Sequence, residues 1–359
     1  MSTTFPARVV VVDDSALMRN IVTRSLTRAG VEVVGSARDG DEALAVCERE
    51  RPDAMTLDLT MPGLDGLGVL RALRERTDTN IPVVVVSAFS AAHGARAVDA
   101  LAEGAFDLVS KPTANEGLDA FIDNLGVKVK AAAASRHKPR TSPPVFTLAP
   151  SNPAADAGTG AALPRPVPVR RKVSRLVLIA TSTGGPRALA ALVPKLPAPL
   201  GVGTLIVQHM PAGFTGSLAA RLNASSRLNV VEAAGGESLD PGTALLAPGG
   251  RHLRLSPDGR TELSEDPAIG GLRPRADLLI EDAARAYGER LLLVVLTGMG
   301  NDGLRGAREV RRRGGRILVE SEETCTVYGM PRAIVDGGLA DEVIDLGRLP
   351  EAIANEALP

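Results

Sequence analysis

Three apolar runs in the C-terminal half, each ending abruptly in polar residues, constrain this chain most. Leu176-Val177-Leu178-Ile179-Ala180 leads into Thr181-Ser182-Thr183-Gly184-Gly185. Thr204-Leu205-Ile206-Val207 leads into Gln208-His209-Met210-Pro211. Leu291 to Leu296 leads into Thr297-Gly298-Met299-Gly300-Asn301-Asp302-Gly303. Short apolar runs of this kind read as strands buried on both faces of a parallel sheet. The carboxyl ends of parallel strands share one edge, and ligands bind there. Ser182, His209 and Asp302 are therefore expected at one rim, where they could serve as nucleophile, base and orienter.

The N-terminal third alternates strand and helix. Candidate strands are Arg8–Val12, Val31–Ser36, Ala54–Asp58, Val83–Ser87 and Phe106–Val109, with helical patterns such as Ser15–Ala29 and Asp41–Glu50 between them. Gly30, Gly40 and Gly104 fall where helix ends and turns want glycine. The C-terminal half alternates too. Pro186 suits the first turn of a helix over Arg187–Leu196, and Arg273–Tyr287 and Gly303–Arg313 are further helix candidates. Leu245–Pro248, Leu253–Ser256 and Thr261–Ser264 read as short strands, with a hairpin at Pro257-Asp258-Gly259. The fold class is therefore α/β, with two doubly wound parallel-sheet domains and a small β-hairpin in the second.

Charge divides the chain in three. Residues 1–125 hold 12 basic and 19 acidic residues, residues 126–172 hold 9 and 1, and residues 173–359 hold 20 and 22. The middle segment also carries eight of the 26 prolines, so it reads as a semi-extended basic linker. The domains are thus 1–125 and 173–359, joined by 126–172. Aromatic content of 2% with no Trp disfavours stacking platforms for single-stranded nucleic acid. Cys47 and Cys325 are the only cysteines, which fits a reducing compartment. No signal peptide and no bilayer-spanning run is visible, so a cytoplasmic location without membrane insertion is expected.

In the first domain Asp13 and Asp14 follow one strand, Asp58 ends the third, Ser87 ends the fourth and Lys111 follows the fifth. Three carboxylates at one rim repel each other, and a hard divalent cation removes that penalty. Such a set suits transfer of a phosphoryl group onto a carboxylate. A solvated acidic rim would explain any one of these residues, but not five at strand ends. The stretches Val10-Val11-Val12-Asp13-Asp14-Ser15, Leu57-Asp58-Leu59-Thr60-Met61-Pro62-Gly63, Val85-Val86-Ser87-Ala88 and Val109-Ser110-Lys111-Pro112 resemble the flavodoxin-like receiver domain of bacterial response regulators. The resemblance implies that Asp58 accepts phosphate from a partner histidine kinase. Asp13, Asp14 and Asp58 would hold Mg²⁺, and Ser87, Phe106 and Lys111 would form the switch. Ser87 and Phe106 stand where many receivers have Thr and Tyr. The Lys111–Pro112 bond is a candidate cis peptide.

In the second domain, glycines after Ser182 allow a sharp turn and close approach of a substrate. Main-chain N–H groups there and in the 297–303 loop could face an oxyanion. Of the four histidines, His209 alone ends a strand-like run. His93 and His137 read as surface residues, and His252 as part of a half-exposed strand. The order Ser, His, Asp matches none of the α/β-hydrolase, chymotrypsin or subtilisin orders. A phosphate cradle would need the glycine spacing or Lys that these loops lack. Residues 174–357 resemble the catalytic domain of the chemotaxis receptor methylesterases, the CheB family. The stretches are Ser182-Thr183-Gly184-Gly185, Gln208-His209-Met210-Pro211, Leu296 to Gly303 and Gly329-Met330-Pro331-Arg332-Ala333-Ile334. Ala180-Thr181 and Gly249-Gly250 depart from the Gly-Ala and Gly-Asp common in that family.

The resemblance implies a Rossmann-like methylesterase domain in which Ser182, His209 and Asp302 form a triad. Thr183 would lie beside it and the Met299 N–H would help bind the oxyanion. It further implies phosphorylation-activated hydrolysis of glutamyl γ-methyl esters on methylated chemoreceptors, with glutamine deamidation as a second activity. Mg²⁺ is expected at the receiver and no cofactor at the esterase. A non-catalytic, phosphorylation-controlled scaffold is the alternative, disfavoured by the complete triad. Nucleic acid is not an expected partner, since the second domain is nearly neutral and shows no helix-turn-helix.

Overall fold

The computed structural model describes residues 6–76, 80–88, 91–112, 118–136 and 174–358. The N-terminal half runs β1 (Arg8–Val12), α1 (Ala16–Arg28), β2 (Glu32–Ala37), α2 (Gly40–Glu50), β3 (Ala54–Leu57), α3 (Gly66–Glu75), β4 (Val83–Ser87), α4 (Ala91–Ala102), β5 (Asp107–Ser110) and α5 (Leu118–Ser135). Its strands pair in the order β2-β1-β3-β4-β5, all parallel. Valine-rich β1 and β4 are buried almost throughout, as β-branched residues covered on both faces should be. Ser15, Asp39 and Asp65 cap α1, α2 and α3 by accepting main-chain N–H bonds.

The C-terminal half runs β6 (Leu176–Thr181), α6 (Gly185–Leu192), β7 (Gly203–Gln208), α7 (Thr215–Ser225), β8 (Asn229–Glu232), β9 (Thr243–Leu246), β10 (His252–Leu255) and β11 (Thr261–Ser264). It continues with α8 (Ala276–Tyr287), β12 (Leu291–Val295), α9 (Leu304–Arg312), β13 (Arg316–Glu320), α10 (Met330–Asp336), β14 (Glu342–Ile344) and α11 (Leu349–Ala357). Seven parallel strands pair in the order β14-β13-β12-β6-β7-β9-β8, and β10 and β11 form the separate hairpin. The chain winds one way from β6 and the other way from β12, so the topological switch lies between these two neighbours. Ligand sites are expected beyond the carboxyl ends of the strands at such a point.

The two halves share one apolar cluster. Ala97, Ala100 and Leu101 of α4 belong to the same buried group as Ala188, Leu189, Leu218 and Leu222 of α6 and α7. Gly94 permits this approach: a Cβ there would lie 2.7 Å from the Gly213 carbonyl oxygen. Arg221 of α7 pairs with Asp99 of α4 at 2.5 Å. No helix among the described residues is long and apolar enough to cross a membrane.

Several expectations need correction. Helix α5 continues to Ser135, into the segment read as linker from 126 onward. Leu125, Val129, Ala132 and Ala133 recur at helical spacing and are buried against the first sheet. Residues 137–173 of that segment, His137 included, lie outside the described residues, as does the side chain of His93. Helix α6 ends at Leu192 and passes into a 3₁₀ turn over Val193–Lys195, because Pro194 cannot continue the α-helical bonding. Gly30 and Gly104 have positive φ, at 74° and 108°. Gly40 instead begins α2, where a Cβ would sit 2.3 Å from the Leu64 carbonyl oxygen. The cis peptides among the described residues are Ala198–Pro199 and Arg273–Pro274, and Lys111–Pro112 is not one of them. His252 is fully buried, not half-exposed.

Candidate active site

Strands β12, β6 and β7 lie side by side at the centre of the second sheet, and each hands its loop one polar residue. Ser182 follows β6, His209 follows β7 and Asp302 lies in the loop after β12. The parallel ladder continues past the strand ends and aligns these loops. Leu296 N–H donates to the Ala180 carbonyl (2.9 Å), Ser182 N–H to Thr297 (3.0 Å) and His209 N–H to Thr181 (3.1 Å). Gly298 makes a close approach possible, since a Cβ there would lie 2.9 Å from Ser182 Cβ.

His209 and Asp302 are both buried, and His209 Nε2 lies 2.8 Å from Asp302 Oδ2. Asp302 also accepts N–H bonds from Ala276 (2.7 Å), Asp277 (3.0 Å) and Gly303 (2.9 Å). Two of these donors open helix α8, where a carboxylate meets the positive end of the helix. Burial alone would raise the Asp302 pKa. The His209 hydrogen bond and charge and the main-chain donors outweigh it, so the carboxyl is held well below its usual range. An ionised Asp302 only accepts, so Nε2 carries the ring proton and the Nδ1 lone pair is free. Nδ1 is buried without a hydrogen-bond partner among the described residues. The ring is thus turned opposite to the chymotrypsin arrangement, in which Nδ1 faces the Asp.

Half-buried Ser182 has a free hydroxyl among the described residues, and the N–H groups of Thr183 and Met299 have no acceptor there. Two residues not singled out individually from the sequence frame this opening. The Gln208 amide donates to the carbonyls of Ser182 (2.9 Å) and His209 (3.0 Å), tying both loops together. Glu320 accepts the Thr297 N–H at 2.8 Å. Glu320 ends β13, so the strand-end rule applied to Asp58 could have found it.

At the first sheet the expected residues come together. The carboxylates of Asp13, Asp14 and Asp58 place oxygens within 4.8 Å of one another. Lys111 Nζ lies 2.8 Å from Asp13 and 2.9 Å from Asp58. Burial raises the Asp13 pKa despite Lys111. Burial pulls Lys111 down, but its bonds to Asp13 and Asp58 prevail and raise its pKa. Ser87 is buried at the carboxyl end of β4, but Phe106, also buried, precedes β5 and bonds Val83 at the opposite edge of the sheet, so the structure does not bring these two expected switch residues together. Asp107, which follows Phe106, reaches the other half of the chain: Thr183 donates its hydroxyl to Asp107 Oδ2 at 2.6 Å.

A family model described as CheB methylesterase matches residues 177–353, and one described as response regulator receiver domain matches residues 9–123. A protein-glutamate methylesterase/protein-glutamine glutaminase of Symbiobacterium thermophilum is 44% identical over 97% of this chain and 96% of its own. The chain belongs to the CheB methylesterase family. A second family member, numbered 5 in Myxococcus xanthus, is 43% identical over 95% of each chain. The CheB methylesterase catalytic domain of Thermotoga maritima, a crystal structure, is 41% identical and covers 51% of this chain and 98% of that one, with a TM-score of 0.49. Both halves of this CheB-family chain are thus matched in the order receiver, then esterase.

Proposed function

We propose that this chain hydrolyses glutamyl γ-methyl esters on chemoreceptor helices, releasing methanol, and deamidates receptor glutamines at the same site. The observation that carries the reading is the His209–Asp302 pair at the rim beside Ser182, with the ring's second nitrogen left free. Ser182 Oγ attacks the ester carbonyl while His209 Nδ1 takes its proton. The oxyanion lies against the Thr183 and Met299 N–H groups. The imidazolium then protonates the departing methoxide, giving methanol and an acyl-enzyme on Ser182. His209 next takes a proton from water, whose hydroxide attacks the acyl carbon and frees the glutamate and Ser182. An amide follows the same course, with ammonia leaving in place of methanol.

In the same reading Asp58 accepts a phosphoryl group from a histidine kinase of a chemosensory system. The all-oxygen donors of Asp13, Asp14 and Asp58 fit Mg²⁺, which would neutralise the charge on the transferred group. Lys111 holds Asp58 and lies ready for the phosphoryl oxygens. Ser87, at the end of β4, would report the change to α4, which lies against the esterase half. Phosphorylation would then shift the population from a covered to an open Ser182. A cytoplasmic location follows from this kinase and substrate.

The test is methanol release from methylated receptor membranes by the wild type and by Ser182→Ala. Release that vanishes with the substitution supports the reading. Equal release by both proteins would refute Ser182 as nucleophile.

A further inference from the structure

Behind the His209–Asp302 pair lies a second buried carboxylate, Asp277, only 3% exposed. Its Oδ1 accepts N–H bonds from Gly303 (3.0 Å) and Gly306 (2.9 Å). The Gly303 N–H also reaches Asp302 Oδ1, so the two carboxylates share a donor. Two like charges this close destabilise each other. Burial, with the charge of Asp302 adding to it, raises the Asp277 pKa. One side chain meets both: Arg275 Nη2 donates to Asp277 Oδ2 at 3.1 Å, and Nε lies 2.9 Å from Asp302 Oδ1 as an ion pair without hydrogen-bond alignment.

The fork is fixed at its base and its tip. Arg275 Nη1 donates to the Ile269 carbonyl at 3.2 Å. The Arg275 N–H donates to His252 Nδ1 at 3.2 Å, and His252 Nε2 lies 3.2 Å from the Pro267 carbonyl. A ring that accepts at Nδ1 and donates at Nε2 is the neutral tautomer, fully used in holding this segment.

We propose that Arg275 is a positioning residue of the triad, a cation that offsets Asp277 behind Asp302 and so limits the net negative charge behind the His209 ring, which must accept the Ser182 proton. His209 bonds Asp302 from the loop after β12, and the charges that meet Asp302 in turn are Arg275 and Asp277 at the start of α8. The loop after β6 brings neutral Ser182 and Thr183. The receiver brings Asp107, which Lys128 pairs at 2.9 Å. The nearest set therefore presents one net negative charge to the ring. Without Arg275 it would present two, and the imidazolium would persist to higher pH. A guanidinium keeps its charge throughout any working range. The expected displacement is on the order of one pH unit for a partly screened charge at this range.

The kinetic half of this inference rests on the esterase reading; the charge relation does not. The experiment therefore has two readouts on the full chain. The His209 imidazole is titrated by NMR, its signal assigned by loss in His209→Gln, and the pH profile of methanol release is recorded beside it. Arg275→Gln should raise both the titration midpoint and the acid limb by about one pH unit. Arg275→Lys, which keeps the charge, should stay near wild type, and Asp277→Asn should move both downward. A folded Arg275→Gln with an unchanged midpoint overturns the proposal. Should Arg275→Gln fail to fold, an Asp277→Asn midpoint at or above wild type overturns it. Midpoints that move as expected in a chain that releases no methanol support the charge relation and refute the ester substrate alone.

Discussion

Thr183 and Asp107 join the two halves of the chain: the Thr183 hydroxyl donates to the Asp107 carboxylate at 2.6 Å, in a buried contact. Thr183 follows Ser182, and Asp107 opens β5 of the receiver, so the link runs from the reacting rim to the phosphorylation domain. Lys128 of α5 holds the other carboxylate oxygen at 2.9 Å. A buried bond to a charged group contributes about 1.5–3 kcal/mol, enough to bias a two-state equilibrium by roughly tenfold or more.

Loosening this contact should raise the activity of the unphosphorylated chain. Asp107→Ala removes the acceptor, and Gly94→Leu puts a side chain where only 2.7 Å is available beside Gly213. Each is expected to increase methanol release without phosphodonor by about tenfold. Release at the wild-type level from both variants would contradict occlusion by the receiver. The exposed Arg221–Asp99 pair should matter far less, since partly solvated pairs contribute little.

Gln208 should affect kcat more than KM. Its single amide nitrogen fixes the carbonyls of both Ser182 and His209. Gln208→Leu leaves the His209 carbonyl unpaired, while the Ser182 carbonyl keeps only the Gly185 N–H; the tie between the loops is lost, and small misplacements of reacting groups cost up to about 10²-fold. Gln208→Glu should be worse, because a carboxylate would face two carbonyl oxygens. Steady-state kinetics on methylated receptors would decide, and a change confined to KM would count against a positioning role.

Asp302→Asn should lower kcat by about 10⁴-fold, the size seen when a triad loses its carboxylate. The same substitution should destabilise the fold at pH 7. A carboxyl whose folded pKa is depressed stabilises above its unfolded pKa and loses that contribution as pH falls through the folded value. The Tm gap between wild type and variant should therefore be full at neutral pH and begin to close only below the ordinary aspartate value of 3.8. A gap that closes near pH 6 would mean that Asp302 is not held ionised.

Stimulation by acetyl phosphate should require both Asp58 and a divalent cation. Asp58→Asn, or addition of EDTA to the wild type, is expected to bring the ratio of release with and without donor to about one. Phosphodonor stimulation that persists in EDTA would contradict the proposed role of the acidic cluster.

The strands that carry the site were legible because each is an apolar run closed by one polar residue, as in Leu291–Leu296 before Thr297. Burial on both faces writes itself into such a run. Past residue 125, helix α5 reads as linker because its alanines and basic residues resemble linker composition, while its buried face there uses only Gly126, Val129, Ala132 and Ala133. The burial of His252 was hidden because the packing of α8 over β10 leaves no local trace. The Thr183–Asp107 bond and the Arg275 fork depend on residues far apart in sequence, so no spacing rule points to them.

The central claim is an Asp58-controlled esterase that acts through Ser182. It is tested most directly by methanol release from methylated receptor membranes by wild type, Ser182→Ala and Asp58→Asn, each with and without acetyl phosphate and Mg²⁺. The account predicts release by wild type that rises with the donor, none from Ser182→Ala, and release from Asp58→Asn that ignores the donor. Release from Ser182→Ala, or none from wild type in any condition, would contradict it.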